Sequence, residues 1–151
     1  MADYRVIKLW NTDKVAIVSE CDYERINKHH WSLSKRGYAV MYNPANKKKV
    51  FMHRMVMNAE YGKIIDHKNC DPLDNRRENL RYATKSQNRM NCPSTNSHRG
   101  VSYHRQSGKW QAYIKKDGKQ YALGMYINLE DAVAARKEAE EKYYGEYRYM
   151  G

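Results

Sequence analysis

Ile65-Asp66-His67, then Asn79-Leu80, then Ser86-Gln87-Asn88-Arg89 form the stretch on which the reading of this chain turns. An Asp and a His stand side by side, an Asn follows twelve residues after the His, and a second Asn nine residues later. Residue types at this spacing suit work on a phosphodiester. Its phosphorus is shielded by negative oxygens, so cleavage calls for a cation to offset charge and a base to activate water. Asp66 is a hard oxygen donor of the kind Mg²⁺ or Mn²⁺ prefers. His67 is its neighbour, and at a strand end the two side chains can diverge, one to metal and one to water. Asn88 adds an amide oxygen. One carboxylate and one neutral amide leave a single ion electron-poor and partly open to phosphate.

The flanking residues predict how these side chains are carried. Lys63-Ile64-Ile65 reads as a strand that delivers Asp66-His67. A polar loop from Lys68 to Glu78 contains Pro72, and Leu80-Arg81-Tyr82-Ala83 returns as a second strand. Thr84-Lys85-Ser86-Gln87 has the capping-box pattern, so a helix is expected to begin near Lys85 with Asn88 close to its start. Upstream, Val50-Phe51-Met52 reads as a strand and His53 to Met57 as a short helix, with His53 expected to pack rather than react. Residues 1–49 read as a β-rich scaffold that packs on this motif. It has a strand at Lys14–Val18, a short helix at Asp22–Ile26 and a hairpin turning at Lys35-Arg36-Gly37. Trp31 and Tyr38 are its expected core, and the Lys47-Lys48-Lys49 run is expected in a solvated loop.

Downstream, a polar run with Pro93 marks a linker at 93–98. Beyond it, Val101 and Tyr103, then Trp110, Ala112 and Ile114, then Tyr121 and Leu123 alternate at period two around turns at 106–109 and 116–119. This predicts a three-stranded antiparallel sheet. Asn128 is expected to cap a helix with an acidic first turn, Glu130-Asp131, that ends at Gly145 and turns Ala132, Ala135 and Ala139 to one face. The opposite face of the sheet carries Ser102, His104, Gln111, Tyr113, Lys115, Gln120 and Ala122. Basic residues dominate the sheet and acids the helix, which directs the sheet towards a polyanion.

Composition supports that partner. The 151 residues carry 28 Lys and Arg against 17 Asp and Glu, a formal net charge of +11. No apolar run approaches the ~20 residues of a membrane span, and the N-terminus shows no apolar signal core. Three widely spaced cysteines form no Cys-x-x-Cys pair, which argues against a disulfide framework and for a reducing compartment. Fourteen Tyr against one Phe fit thin cores whose rings also reach water or phosphate.

Phe51 to Val56, Ile65-Asp66-His67, Asn75 to Leu80 and Ser86-Gln87-Asn88 together resemble the HNH endonucleases, the ββα-metal superfamily, in the branch found among phage and intron-homing enzymes. The resemblance implies that His67 is the general base, that Asp66 and Asn88 hold one Mg²⁺ or Mn²⁺, and that Asn79 braces the loop and orients His67. The last letter is Asn here rather than His. Arg76 and Arg77 stand where the loop can touch phosphate. Residues 99 to 146 resemble the plant ethylene-response-factor (AP-two) domain in Arg99-Gly100-Val101, Gly108-Lys109-Trp110, Ala112, Ile114, Leu123-Gly124, Tyr126 and the Glu130-Asp131-Ala132 helix. That implies DNA-facing positions at Arg99, Ser102, His104, Tyr113, Lys115, Gln120 and Ala122, several of which depart from the plant pattern.

The expectation is an α+β protein: a ββα-metal HNH domain over 1–92 with its β-rich N-terminal segment, a linker at 93–98, and a sheet-and-helix DNA-binding domain over 99–151. Its expected activity is metal-dependent hydrolysis of double-stranded DNA to 5′-phosphate and 3′-hydroxyl ends. It is expected to be a monomer or weak dimer in the cytoplasm, that of a host cell if the gene is phage-borne. The alternative is a sequence-specific DNA-binding transcription regulator on an inactive nuclease scaffold. An RNA-directed protein is disfavoured, since only Tyr113 is placed on the sheet for stacking.

Overall fold

The structure, a computed structural model, describes residues 3–94 and 98–150. It is α+β, and its contacts divide it into two compact units, Met1–Thr84 and Lys85–Gly151.

The first unit contains β1 (Tyr4–Lys8), β2 (Val15–Ser19), α1 (Glu20–Ile26), β3 (Ser32–Leu33), β4 (Ala39–Asn43), β5 (Lys48–Phe51), α2 (Met52–Val56), β6 (Ile64–His67), β7 (Asp74–Asn75) and β8 (Leu80–Ala83). Its strands form three small sheets, β1-β2-β7, β3-β4-β5 and β6-β8. Alternation sets the buried face of β2, where Ala16 and Val18 point inward. They meet Ile7, Leu9, Ile26, Trp31, Met52, Val56, Ile65 and Leu80 in one core. Trp31 is fully buried there and its indole N–H donates to the Ile26 carbonyl at 2.8 Å, so its polar edge carries no desolvation cost. Tyr38, expected in the core, is instead half-buried beside the rings of Phe51, His53 and His67.

Three features of this unit differ from expectation. Tyr4–Lys8 is a strand pairing antiparallel with β2, although its alternation is too short and too exposed to announce itself. Lys48 and Lys49 are strand residues of β5, paired with Asn43 and Tyr42, rather than loop. The 68–78 loop is more ordered than its polarity suggests. Asp74-Asn75 pairs in parallel with Ile17-Val18, and a 3-10 turn, Arg77–Asn79, follows.

The second unit contains α3 (Lys85–Met90), β9 (Val101–His104), β10 (Lys109–Lys116), β11 (Lys119–Tyr126) and α4 (Leu129–Tyr144). The strands form the expected antiparallel sheet, order β11-β10-β9. Asp117 and Gly118, both at positive φ, make the tight turn between β10 and β11. Ala112 and Ile114 are fully buried, and Ala132 and Ala139 of α4 are buried with them. Arg136 is buried on that same helix face, beside Tyr144, where an all-apolar stripe was expected. Asn128 occupies the N-cap position, but its side chain donates to Asp131 at 3.4 Å rather than capping backbone.

α3 begins at Lys85 as its sequence predicts, yet it packs with the second unit. Met90 shares a core with Ile114, Ala139 and Tyr144, and the Asp117 amide donates to Ser86 Oγ. Arg99 donates to the carbonyls of Arg89, Met90 and Cys92, satisfying the open end of the helix. Of the expected 93–98 linker, residues 95–97 lie outside the described residues.

Candidate active site

Asp66 and His67 end β6, which pairs antiparallel with β8 so that Asp66 faces Arg81 and His67 faces Leu80. Both side chains are buried, at 6% exposure each. Such burial needs compensation. Arg81 supplies it for Asp66, with Nε and Nη2 each 2.8 Å from Oδ2. For His67 it comes from Asn75, whose Oδ1 lies 3.1 Å from Nε2.

Aromatic rings enclose His67. His53 meets it edge-on with centroids 5.2 Å apart, and Tyr38 lies at 6.0 Å. Burial lowers the His67 pKa below its ordinary value, opposed by the Asn75 hydrogen bond and by the carboxylates of Asp66, Asp71 and Asp74. The imidazole is therefore neutral at physiological pH, the form a base requires. Burial also lowers the pKa of His53, to about 3, with electrostatic contributions from neighbouring His67 and Arg54 adding to the effect.

The loop after His67 is tied from within. The Lys68 amide donates to the Asn79 carbonyl at 2.8 Å. Asn79 Oδ1 accepts from the Asn69 amide at 3.1 Å, while its Nδ2 donates to the Asp74 carbonyl at 2.8 Å and to Asn69 Oδ1 at 2.9 Å. Asn79 thus braces the loop, and the hydrogen bond to the His67 ring comes from Asn75. Arg76 and Arg77, read from sequence as phosphate contacts, each clasp a carboxylate through two nitrogens. Arg76 holds Asp74 at 2.8 and 2.7 Å, and Arg77 holds Asp22 at 2.6 and 2.9 Å.

Asp66, His67 and Asn79 are gathered in the first unit, and Asn88 lies half-buried on α3 of the second. Sequence reasoning missed Asn75, Arg81 and Tyr38 as neighbours of the pair. Only Arg81 left a signal, since pairing Leu80 with His67 places Arg81 opposite Asp66.

The Asp66 carboxylate is a hard oxygen donor of the type a divalent ion prefers. Among the described residues no group of three or more His, Cys, Asp or Glu forms a metal cage.

In the second unit, register decides which residues share a face. Lys115 pairs with Gln120, Tyr113 with Ala122, Gln111 with Met125 and Ser102, and Lys109 with His104. The expected set therefore does lie on one face, joined by Lys109 and Met125. A bulge at the Ala112/Tyr113 step brings Ala122 and Met125 to the same side although two residues separate them. Arg99 is not among them, being engaged on the end of α3.

Residues 50–90 match the HNH endonuclease family. The match includes Asp66, His67, Asn79 and Asn88 and stops short of the sheet of the second unit. The chain is also 28% identical over 138 residues to a protein of Acanthamoeba polyphaga mimivirus named as an uncharacterized HNH endonuclease, covering 87% of this chain and 72% of the viral one. No solved structure matches. With the Asp-His pair buried and braced inside it, the segment 50–90 is similar to HNH endonucleases, and the protein is a DNA-cleaving hydrolase.

Proposed function

We propose that the protein is a divalent-metal-dependent DNA endonuclease in which His67 is the general base and Asp66 and Asn88 hold one Mg²⁺ or Mn²⁺. The observation that carries this reading is the buried, neutral His67 beside an Asp66 whose carboxylate is fixed by Arg81. A bound ion would offset the negative charge of the scissile phosphate and of the departing oxygen. His67 takes a proton from water, and the oxygen attacks phosphorus in line with the 3′-oxygen. The loop braced by Asn79 keeps the His67 backbone in place. The products carry 5′-phosphate and 3′-hydroxyl ends.

The sheet of the second unit is the proposed duplex-binding surface, in the manner of sheets that enter the major groove. Ser102, His104, Tyr113, Lys115 and Gln120 share its exposed face by register. No helix among the described residues is long and apolar enough to cross a membrane. A role in the cytoplasm of an infected host, as a monomer or weak dimer, belongs to the same proposal.

Supercoiled plasmid incubated with Mg²⁺ or Mn²⁺ tests the reading. Wild type should convert it to nicked or linear form, and His67→Ala should be slower by about 10²- to 10⁴-fold. Equal cleavage by the variant would remove His67 from the chemistry. Tight, salt-sensitive binding without cutting would favour the DNA-binding regulator instead.

A further inference from the structure

We infer that Asn75 sets the tautomer of His67, holding the ring proton on Nε2 so that the lone pair that accepts a proton from water lies on Nδ1. The inference rests on the reading of His67 as general base and adds a positioning residue to that site.

Asn75 is completely buried, at 0% exposure, and stands where its neighbours in sequence, Arg76 and Arg77, suggest a solvated phosphate-binding loop. Its amide has only one workable orientation. Nδ2 lies 3.2 Å from the Leu73 carbonyl oxygen and 3.5 Å from Met52 Sδ. Both of those atoms accept, so the amino group must occupy that side and Oδ1 the other. Oδ1 is the atom 3.1 Å from His67 Nε2. An amide oxygen only accepts, so Nε2 must carry hydrogen, and a neutral imidazole with hydrogen on Nε2 has its lone pair on Nδ1.

The backbone beneath Asn75 is held as firmly as the amide. Val18 pairs with Asn75 and Ile17 with Asp74 in the parallel β2–β7 ladder. Asp74 is clasped by Arg76 and accepts from Asn69 Nδ2 at 2.9 Å. Asn75 therefore cannot rotate away without breaking contacts on both sides.

The proton balance follows. A water O–H bond breaks as Nδ1 gains the proton, and the oxygen pair forms the new bond to phosphorus. The bond to the 3′-oxygen breaks with its pair on that oxygen, which takes a proton from solvent. The resulting imidazolium keeps its Nε2–H on Asn75 Oδ1, a hydrogen bond that strengthens when the donor is charged. Asn75 thus favours the transition state without touching DNA.

The test is long-range proton–nitrogen correlation NMR on the full chain labelled with ¹⁵N at histidine, with His67 assigned by its loss in His67→Ala. Wild type should show His67 with hydrogen on Nε2. Asn75→Ala should shift it toward the other tautomer and lower kcat for plasmid cleavage by about 10- to 100-fold, with KM little changed. Asn75→Asp, which keeps an oxygen at the accepting position, should retain the wild-type tautomer. A wild-type spectrum with hydrogen on Nδ1 overturns the inference even if Asn75→Ala fails to fold. So does a folded Asn75→Ala with unchanged tautomer and kcat. The tautomer is read without turnover, so a wild type that shows Nε2–H but cuts no DNA sinks the nuclease reading and leaves the assignment of Asn75 to His67 standing.

Discussion

Arg81 stands directly across the β6–β8 pair from Asp66, and its Nε and Nη2 both lie 2.8 Å from the same carboxylate oxygen. Both partners are largely buried, so removing one takes away the principal compensation of the other's charge. Arg81→Met is expected to cost about 3–5 kcal/mol of stability in urea unfolding. Adding Asp66→Asn should recover part of that loss, since both charges are then gone. A double-mutant cycle with no coupling between the two positions would show that the pair does not matter to the fold.

His53 makes stability depend on pH below neutrality. Its pKa is lowered by burial to about 3, against about 6.5 in the unfolded chain. Between those values the unfolded state binds the extra proton, so stability is full above about pH 6.5 and falls as pH drops toward 3. His53→Phe fits the ring cluster with Phe51 and Tyr38 and should flatten that part of the stability curve. An unchanged slope would show that His53 is not held neutral.

Asp22 makes stability depend on more acidic pH. Burial works to raise its pKa, but the forks of Arg77 and Arg25 more than offset this and hold it below its ordinary value. A carboxylate with a lowered folded pKa stabilises above the unfolded value of about 3.9, and the contribution is lost as pH falls through the folded value. Asp22→Asn should remove that acid limb and cost about 1–3 kcal/mol at neutral pH. The loss is limited because both arginines are partly exposed, at 51% for Arg77 and 40% for Arg25. Arg25 also keeps its hydrogen bond to the Met55 carbonyl. Thermal unfolding between pH 2 and 7 reads both effects.

The sheet face should announce itself through salt. If Lys115 meets a phosphate, Lys115→Ala weakens duplex binding for every sequence and reduces the slope of log affinity against log salt by about 1. Gln120, its cross-strand partner, is neutral and should leave that slope unchanged when replaced by Ala. Equal slopes for wild type and Lys115→Ala, measured by fluorescence anisotropy, would take Lys115 off the DNA.

Much of the fold was legible because it is written in local pattern. Period-two alternation located β9, β10 and β11, and an acidic first turn with a closing glycine bounded α4. The capping pattern at Thr84 set the start of α3. The candidate pair stood out because Asp66 and His67 are adjacent, with Asn79 and Asn88 at fixed offsets.

What escaped was non-local. β1 becomes a strand by pairing with β2, and β7 is only two residues long and takes its conformation from Ile17 and Val18. The polar loop hides its order because its bonds run between side chains and backbone many residues apart, such as Arg77 to Asp22. The carboxylate partners of Arg76 and Arg77 escaped because sequence shows a charge without its partner. Arg136 escaped for the opposite reason, since nothing in an alanine-rich helix announces a buried guanidinium.

The parallel register of Val18 with Asn75 has a consequence for the borders of the matched segment. Residues 50–90 hold every letter of the motif, but the strand that seats Asn75 begins at Val15. Grafted alone into another scaffold, that segment would carry the imidazole without the floor that decides which way its proton faces. Changes at Ile17 or Val18, far from any phosphate in sequence, are the ones to watch for silent damage to turnover.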